Sequence, residues 1–173
     1  PDGDPGDFLG RAAELPVPPA LAPGAVLDGY RIVRQLHANS RSQVYLAEDG
    51  AGGPLVVVKV PGEEMLASPA ALRRFLLEEW IARRVSSPHV VGCPAADRPR
   101  TALYLVTDYV EGPTLTQWML DHPQPDLDQV RGMVEQIALG LMALHRLEML
   151  HQDLRPDNIL VDRTGTLRII DFC

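Results

Sequence analysis

The chain has 173 residues, 46% of them apolar and 23% charged, enough for a buried core but too few for two full domains, and this composition excludes an intrinsically disordered chain. Sixteen Lys and Arg against 23 Asp and Glu give a net charge of −7, which argues against a surface made to wrap nucleic acid or dock on anionic lipid. Cys93 and Cys173 are the only cysteines, too few for a disulfide scaffold and lacking the paired spacing of a zinc site, which fits a reducing, cytoplasmic setting.

No apolar run approaches the ~18 residues of a membrane span, since Ile137 to Leu150 is broken by His145, Arg146 and Glu148. The chain opens on Pro1 and an acidic Pro/Gly segment rather than a signal peptide, and reads as cut from something longer. Six of the sixteen prolines lie in residues 1–27, which are assigned to a linker. Its run from Leu15 to Gly24 favours extended polyproline geometry, either a solvated tether or a semi-rigid spacer lying against a neighbouring domain.

After Asp28-Gly29 the pattern turns to short β-type runs: Tyr30 to Leu36, Val44 to Glu48 and, beyond a Gly50–Gly53 turn, Leu55 to Val60. This predicts an antiparallel meander. Val56-Val57-Val58 is apolar without alternation, so that strand is expected to be covered on both faces, and Lys59 at its end then needs a reason. Ser68-Pro69 supplies an N-cap and a first-turn proline for a helix in which Leu72, Phe75, Leu76 and Trp80 keep helical spacing, ending by Ser86-Ser87-Pro88. Strands are expected around Val90 and at Leu103 to Thr107, then a short helix from Thr114 to Asp121. A long amphipathic helix follows, with Val130, Met133, Val134, Ile137, Leu141 and Leu144 on one face and Asp126 or Asp128 as its cap. A polar loop from His151 to Asn158 leads to two very short strands, Ile159–Val161 and Leu167 to Ile170, joined by the turn sequence Asp162–Gly165. The element order points to an α+β fold with its sheet towards the N-terminus.

The strongest local signal is His151-Gln-Asp-Leu-Arg-Pro-Asp-Asn158, followed by Ile170-Asp-Phe-Cys173. It resembles the eukaryotic-type protein kinases, whose catalytic loop reads H-R-D-x-K-P-E-N and whose metal-binding motif reads D-F-G. Asn158 follows Asp153 by five residues and Asp171 follows it by eighteen, as in that family. Upstream, Val56-Val-Val-Lys59 is similar to the V-A-I-K strand, with Glu78 nineteen residues later on the predicted helix. Singly, each residue has a bland reading: a solvated lysine, turn aspartates, an exposed helix glutamate. Their joint order and spacing carry the resemblance.

The resemblance implies a protein-kinase-like N-lobe, residues 28–108, with an antiparallel sheet and one regulatory helix. The hinge and the first part of a helical C-lobe follow over 109–173. It implies ATP- and Mg²⁺-dependent transfer to Ser/Thr hydroxyls of protein substrates, Pro156 favouring the Ser/Thr branch. Phosphoryl transfer is mostly positioning and charge neutralisation around a polyanion. Lys59 would hold the α- and β-phosphates and Glu78 would orient Lys59. Asn158 and Asp171 would bind Mg²⁺ with hard oxygen ligands. Asp153 would accept the proton of the substrate hydroxyl. Arg155, in place of the family's lysine, would steady the transferred phosphate, with a planar fork not equivalent to an ammonium. Phe75-x-x-Glu78 and Ser87-Pro-His-Val-Val91 resemble the family's helix and following turn only when Glu78 is the partner of Lys59; Glu79 is the fallback, and His89 reads as structural.

For adenine, Leu103 to Gly112 resembles the strand and hinge, with Thr107 as gatekeeper and the backbone of Asp108 and Val110 as the hydrogen-bonding edge. Leu36, Val44, Val57 and Leu160 would sandwich the ring. The phosphate-covering loop departs most: His37, Asn39 and Ser42 stand where the family has glycines, which normally permit close backbone approach. The loop then either covers ATP less tightly or uses Ser40, Arg41 and Ser42 as phosphate contacts. Gln152 replaces the arginine that pairs with a phosphorylated activation loop, and Cys173 replaces the D-F-G glycine. These departures keep a second reading open, a pseudokinase or nucleotide-sensing module. The linker with Gly29-Tyr-Arg-Ile, Leu36-His-Ala-x-Ser-Arg-Ser and Glu78-Glu-Trp-x-Ala-Arg-Arg resembles bacterial proteins in which a metal-dependent Ser/Thr phosphatase precedes the kinase domain, making a linked phosphatase a further expected partner. A kinase domain needs about 250 residues, at the upper end of the usual range. Little activity is therefore expected from residues 1–173 alone.

Overall fold

The computed structural model describes residues 10, 13–94 and 98–171, so the expectation for Cys173 lies outside the described residues. They form two compact units, one from the residues up to Arg83 with Cys93–Tyr109, the other from Arg84–Gly92 with the residues from Val110 onward. The division is not a single cut after Asp108. Arg84–Gly92 joins the second unit because Ile169 N donates to His89 O and Val91 N donates to Ile169 O, both at 2.9 Å. The run around Val90 is accordingly a single parallel bridge to Ile169 and not the strand its sequence predicts.

In the first unit, β1 (Val26–Leu27), β2 (Tyr30–Ala38), β3 (Ser42–Asp49), β4 (Leu55–Pro61) and β5 (Leu105–Asp108) form an antiparallel sheet in chain order. A short helix α1 (Glu63–Leu66), absent from the sequence expectations, precedes α2 (Pro69–Ala82). The Ser68 hydroxyl caps α2 by accepting from Ala71 N at 3.3 Å, and Pro69 opens the first turn at no cost because its missing N–H has no helical partner there.

The sheet is covered differently on its two faces. Val56, Val58 and Val60 enter a core with Ile32, Tyr45, Tyr104 and Val106, whereas Val57 and Lys59 on the opposite face are only half-buried. The apolar β4 run therefore does not have two fully covered faces. Leu105, in register with Lys59, lies on that second face and packs with Phe75, Leu76 and Leu103, so α2 sits against the side of the sheet that carries the lysine.

The second half of the proline-rich segment is no solvated tether. Leu103 N donates to Pro16 O at 2.8 Å, Leu15 packs on the Phe75–Leu76 cluster, Pro18 is buried, and Leu21 and Ala25 lie on the β-sheet core. β1 then begins inside the residues assigned to the linker. Proline lacks the N–H of a regular ladder, so the strap offers carbonyls and apolar rings instead.

The corner from β1 to β2 is held by Asp28, in the left-handed region at φ 47°. Its carboxylate accepts from Thr101 N at 2.9 Å, Thr101 Oγ1 at 2.7 Å and Tyr104 Oη at 2.9 Å. Burial acts to raise this carboxyl, but the Thr101 and Tyr104 hydrogen bonds, with Arg100 nearby, outweigh it and hold the group below 3.8. A depressed folded-state value gives stability that is present above the unfolded value and lost as pH falls through the folded one. Asp28→Ala is therefore expected to lower the unfolding free energy by about 2 kcal/mol at neutral pH, with Tyr104 Oη left wanting an acceptor. Urea unfolding is expected to show the gap between variant and wild type narrowing below about pH 4.

In the second unit, α3 (Leu115–Asp121) and α4 (Leu127–His145) precede a 3₁₀ turn (Pro156–Asn158) and the hairpin β6 (Ile159–Val161) and β7 (Leu167–Ile169). Asp126, not Asp128, caps α4, and Gln129 completes a capping box by accepting from Asp126 N. Met133, Ile137 and Leu141 pack against Leu115, Ile159, Val161, Leu167 and Ile169. Val130 and Val134, expected on the same face, are exposed, whereas Gly140 and Leu144 towards the end of α4 are buried. A Cβ on Gly140 would stand 2.8 Å from His89 O, so this glycine permits the close approach of helix and turn.

Candidate active site

Lys59 leaves β4 on the α2 side, and its ammonium donates to Glu78 Oε2 at 3.1 Å. The side chains are 14% and 5% exposed, so the pair sits where water screens it little. Helical phase explains which glutamate takes the lysine. Glu79, about 100° further round α2, is buried elsewhere, accepting at Oε1 from Arg83 Nε at 2.9 Å and from Arg100 Nη2.

Val57 pairs with Leu46 and Thr107, and Lys59 with Val44 and Leu105, so the register places Val44, Val57, Thr107 and Lys59 on one face. Leu36 lies at an irregularity between Gln35 and His37, half-buried. Asp108 ends β5 and is exposed, and Val110 begins the second unit. These residues thus belong to the first unit except Val110 and Leu160, the latter half-buried on β6.

The tip between β2 and β3 is three residues, Asn39 to Arg41, and it is braced without glycine. Asn39 Oδ1 accepts from Arg41 N at 2.9 Å and Ser42 N at 2.8 Å, while its Nδ2 meets His37 Nε2 at 2.9 Å. The side chain thus supplies the turn that a left-handed residue would otherwise make. The tip is also tied to α1: Gly62 N donates to Arg41 O, Glu64 N to Ser40 O, and Ser40 Oγ to Glu64 Oε2 at 2.6 Å. A Cβ on Gly62 would come within 2.4 Å of Ser40 O, so this glycine lets the tip dock. Ser40 is exposed and donates to Glu64, while Ser42 is buried at the start of β3.

In the second unit the polar loop is organised by buried His151. Asp153 N donates to its Nδ1 at 3.4 Å, so Nε2 carries the proton and donates to Ile170 O at 3.0 Å. Gln152, at φ 58°, makes the sharp turn that lets Asp153 N also reach His151 O. Asn158, 5% exposed, donates from Nδ2 to Asp153 O at 2.9 Å and to Asp153 Oδ2 at 3.1 Å. Both partners are acceptors, so the amide nitrogen must face them and Oδ1 must face away. Among the described residues no hydrogen bond to Oδ1 is made. Ile170 N donates to Asn158 O at 3.0 Å, which fixes Asp171, at φ 51°, next to this loop. Arg155 Nε lies 3.6 Å from Asp153 Oδ2, with both side chains more than half exposed.

The loop therefore presents a carboxylate with one oxygen tethered, an outward-facing amide oxygen and a second carboxylate close in the backbone. Hard oxygens of this kind fit Mg²⁺, which takes one or two protein ligands and keeps several waters. His89, by contrast, has Nδ1 on Leu167 O at 3.1 Å and joins the hairpin to the preceding turn.

A family model described as protein kinase domain matches residues 30–173. The chain belongs to the protein kinase family. Among curated relatives it is 29% identical to a probable serine/threonine-protein kinase PknB of Lactococcus lactis over 84% of this chain and 23% of that protein. It is 28% identical to the serine/threonine-protein kinase PrkC of Bacillus subtilis over 83% of this chain and 22% of the relative. The chain thus spans less than a quarter of the length of these two relatives. A cysteine-to-alanine mutant of the kinase domain of Mycobacterium tuberculosis PknI superposes with a TM-score of 0.68 at 30% identity, over 89% of this chain and 63% of that one. The kinase fold is therefore the fold of this chain, with the sheet and α2 of its N-lobe in the first unit. No helix among the described residues is long and apolar enough to cross a membrane.

What the sequence missed here is polar and non-local. Arg100, Glu79 and Asp28 form buried or half-buried networks across residues that share no motif. The adjacency of the two glutamates gave no signal of this, since Glu79, about 100° further round the helix, would be free to face water while Glu78 is buried.

Proposed function

We propose that the protein transfers the terminal phosphoryl group of ATP to Ser or Thr hydroxyls of proteins in a Mg²⁺-dependent reaction. The observation that carries this reading is the Asn158 bridge to Asp153, because it tethers one carboxylate oxygen and leaves the other to receive a proton. Lys59, held by Glu78, is suited to the α- and β-phosphates as a desolvated point charge. Asp153 orients the acceptor hydroxyl and takes its proton as the oxygen attacks. Arg155, loosely paired with Asp153, would meet the charge on the transferred group. Asn158 Oδ1 and the Asp171 carboxylate would hold Mg²⁺, which supplies charge neutralisation on the phosphates when bound. The adenine edge is assigned to the backbone of Asp108 and Val110, and the apolar faces to Leu36, Val44, Val57 and Leu160. A cytoplasmic location and a linked phosphatase region belong to the same proposal, on the resemblance given above.

The test is label transfer from ATP to a generic basic protein by the full-length protein, beside thermal melting with Mg-ATP and with ATP plus chelator. Transfer together with a Mg-dependent rise in melting temperature is expected. Binding without transfer would make the domain a nucleotide-sensing module, and neither would overturn the proposal.

A further inference from the structure

Glu78 and Glu79 are adjacent on α2, yet they are 4% and 1% exposed. Successive helical side chains diverge by about 100°, so two buried carboxylates need two receiving walls. Lys59 on β4 is the first. The second is Arg100, which spans from the helix to the residues leading into β5: Nη2 donates to Glu79 Oε1 and Nη1 donates to Tyr104 O at 2.7 Å. Its guanidinium also lies 4.9 Å from the centre of the Tyr104 ring. Arg83 meets the same carboxylate oxygen at 2.9 Å but is the C-cap of α2, four residues on, and so ties the helix end only to its own last turn through that bond.

We propose that Arg100 is a positioning residue for phosphoryl transfer: by holding Glu79 from the sheet side, it fixes the rotation of α2 about its axis and keeps Glu78 on Lys59. This rests on the kinase reading of Lys59 and Glu78. A rotation that withdrew Glu78 would carry Glu79 out of its ion pair, separating charges that water barely reaches. The helix is thus clamped from two directions by consecutive residues.

Kinetics of ATP use by the full-length protein test this with Arg100→Leu, Arg83→Leu and Arg100→Lys, each also made in a Glu78→Gln background. Arg100→Leu is expected to lower kcat/KM for ATP on the order of tenfold, and Arg83→Leu by less than about twofold. In the Glu78→Gln background the Arg100→Leu effect is expected to shrink below about twofold, because its route through Glu78 is already cut. Equal effects of the two leucine variants, or an undiminished Arg100→Leu effect without Glu78, would assign Arg100 a merely structural role and overturn the proposal. Should Arg100→Leu fail to fold, Arg100→Lys decides: one ammonium cannot hold Glu79 and the Tyr104 carbonyl as a fork does, so a loss of about threefold is expected and wild-type kinetics would overturn the clamp. Backbone hydrogen exchange in α2 separates this from the activity reading. Faster exchange in Arg100→Leu than in Arg83→Leu supports the clamp even if the wild type transfers no phosphate, and equal exchange counts against it.

Discussion

Asp153→Asn is expected to reduce phosphoryl transfer by roughly 10³-fold while leaving Mg-ATP binding within about twofold of wild type. The substitution keeps the shape of the side chain and one oxygen for Asn158 Nδ2, which lies 3.1 Å from Oδ2, so the loop geometry should persist. What is lost is the anionic oxygen that would take the hydroxyl proton. The amide brings an added consequence, since its NH₂ must point away from the Asn158 donor and would then face the incoming hydroxyl as a donor rather than an acceptor. Single-turnover label transfer separates this from a binding defect: the chemical step should fall, and the Mg-dependent melting shift should stay. A proportional loss of both would place Asp153 in loop folding instead of proton transfer. Asp171 supplies the contrast, because its assigned role is metal binding, and its replacement by Asn should reduce the melting shift along with turnover.

The two predictions about catalytic charge rest on parts of the chain that were legible for different reasons. The loop from His151 to Asn158 could be read because its characteristic residues stand within eight positions, and it folds on itself through local bonds from Asp153 N to His151 O and from Asn158 Nδ2 to Asp153 O. Lys59 and Glu78 could be paired because Phe75-x-x-Glu78 and Ser87–Val91 resemble the family's helix and turn only in that alignment, and the ion pair at 3.1 Å agrees with it. The strap from Leu15 to Leu27 resisted the same approach. Proline-rich composition describes backbone stiffness, but whether such a segment lies in water or against a sheet depends on a distant acceptor-hungry donor, here Leu103 N. The β2–β3 tip shows the converse failure. Absence of glycine was legible, yet the substitute, an asparagine side chain accepting from two backbone N–H groups and a tip docked on Gly62 and Glu64, depends on α1, whose four residues carry no periodicity. Exposed Leu127, Val130 and Val134 on α4 mark the limit of hydrophobic spacing, which identifies a helix face but not how far along the helix its packing extends.

Lys59→Met is expected to lower kcat/KM for ATP by roughly 10³-fold and to weaken the Mg-ATP melting shift, in contrast to Asp153→Asn. Methionine matches the length and apolar stem of lysine, so the face shared with Val44 and Leu105 stays filled. The loss is the ammonium, which lies 3.1 Å from Glu78 Oε2 and whose side chain is 14% exposed. Two separable effects follow from one missing charge. The phosphates lose a desolvated cation, and Glu78, with 5% side-chain exposure, is left buried without this partner. The second effect costs stability on the order of 3 kcal/mol, because an incompletely compensated buried carboxylate is more destabilising than no charge at all. Glu78→Gln added to Lys59→Met should therefore recover much of the melting temperature and none of the transfer. That divergence is the measurement that checks the assignment, since a lysine that served only to neutralise Glu78 would be dispensable once the carboxylate is gone, and the double variant would then regain activity along with stability.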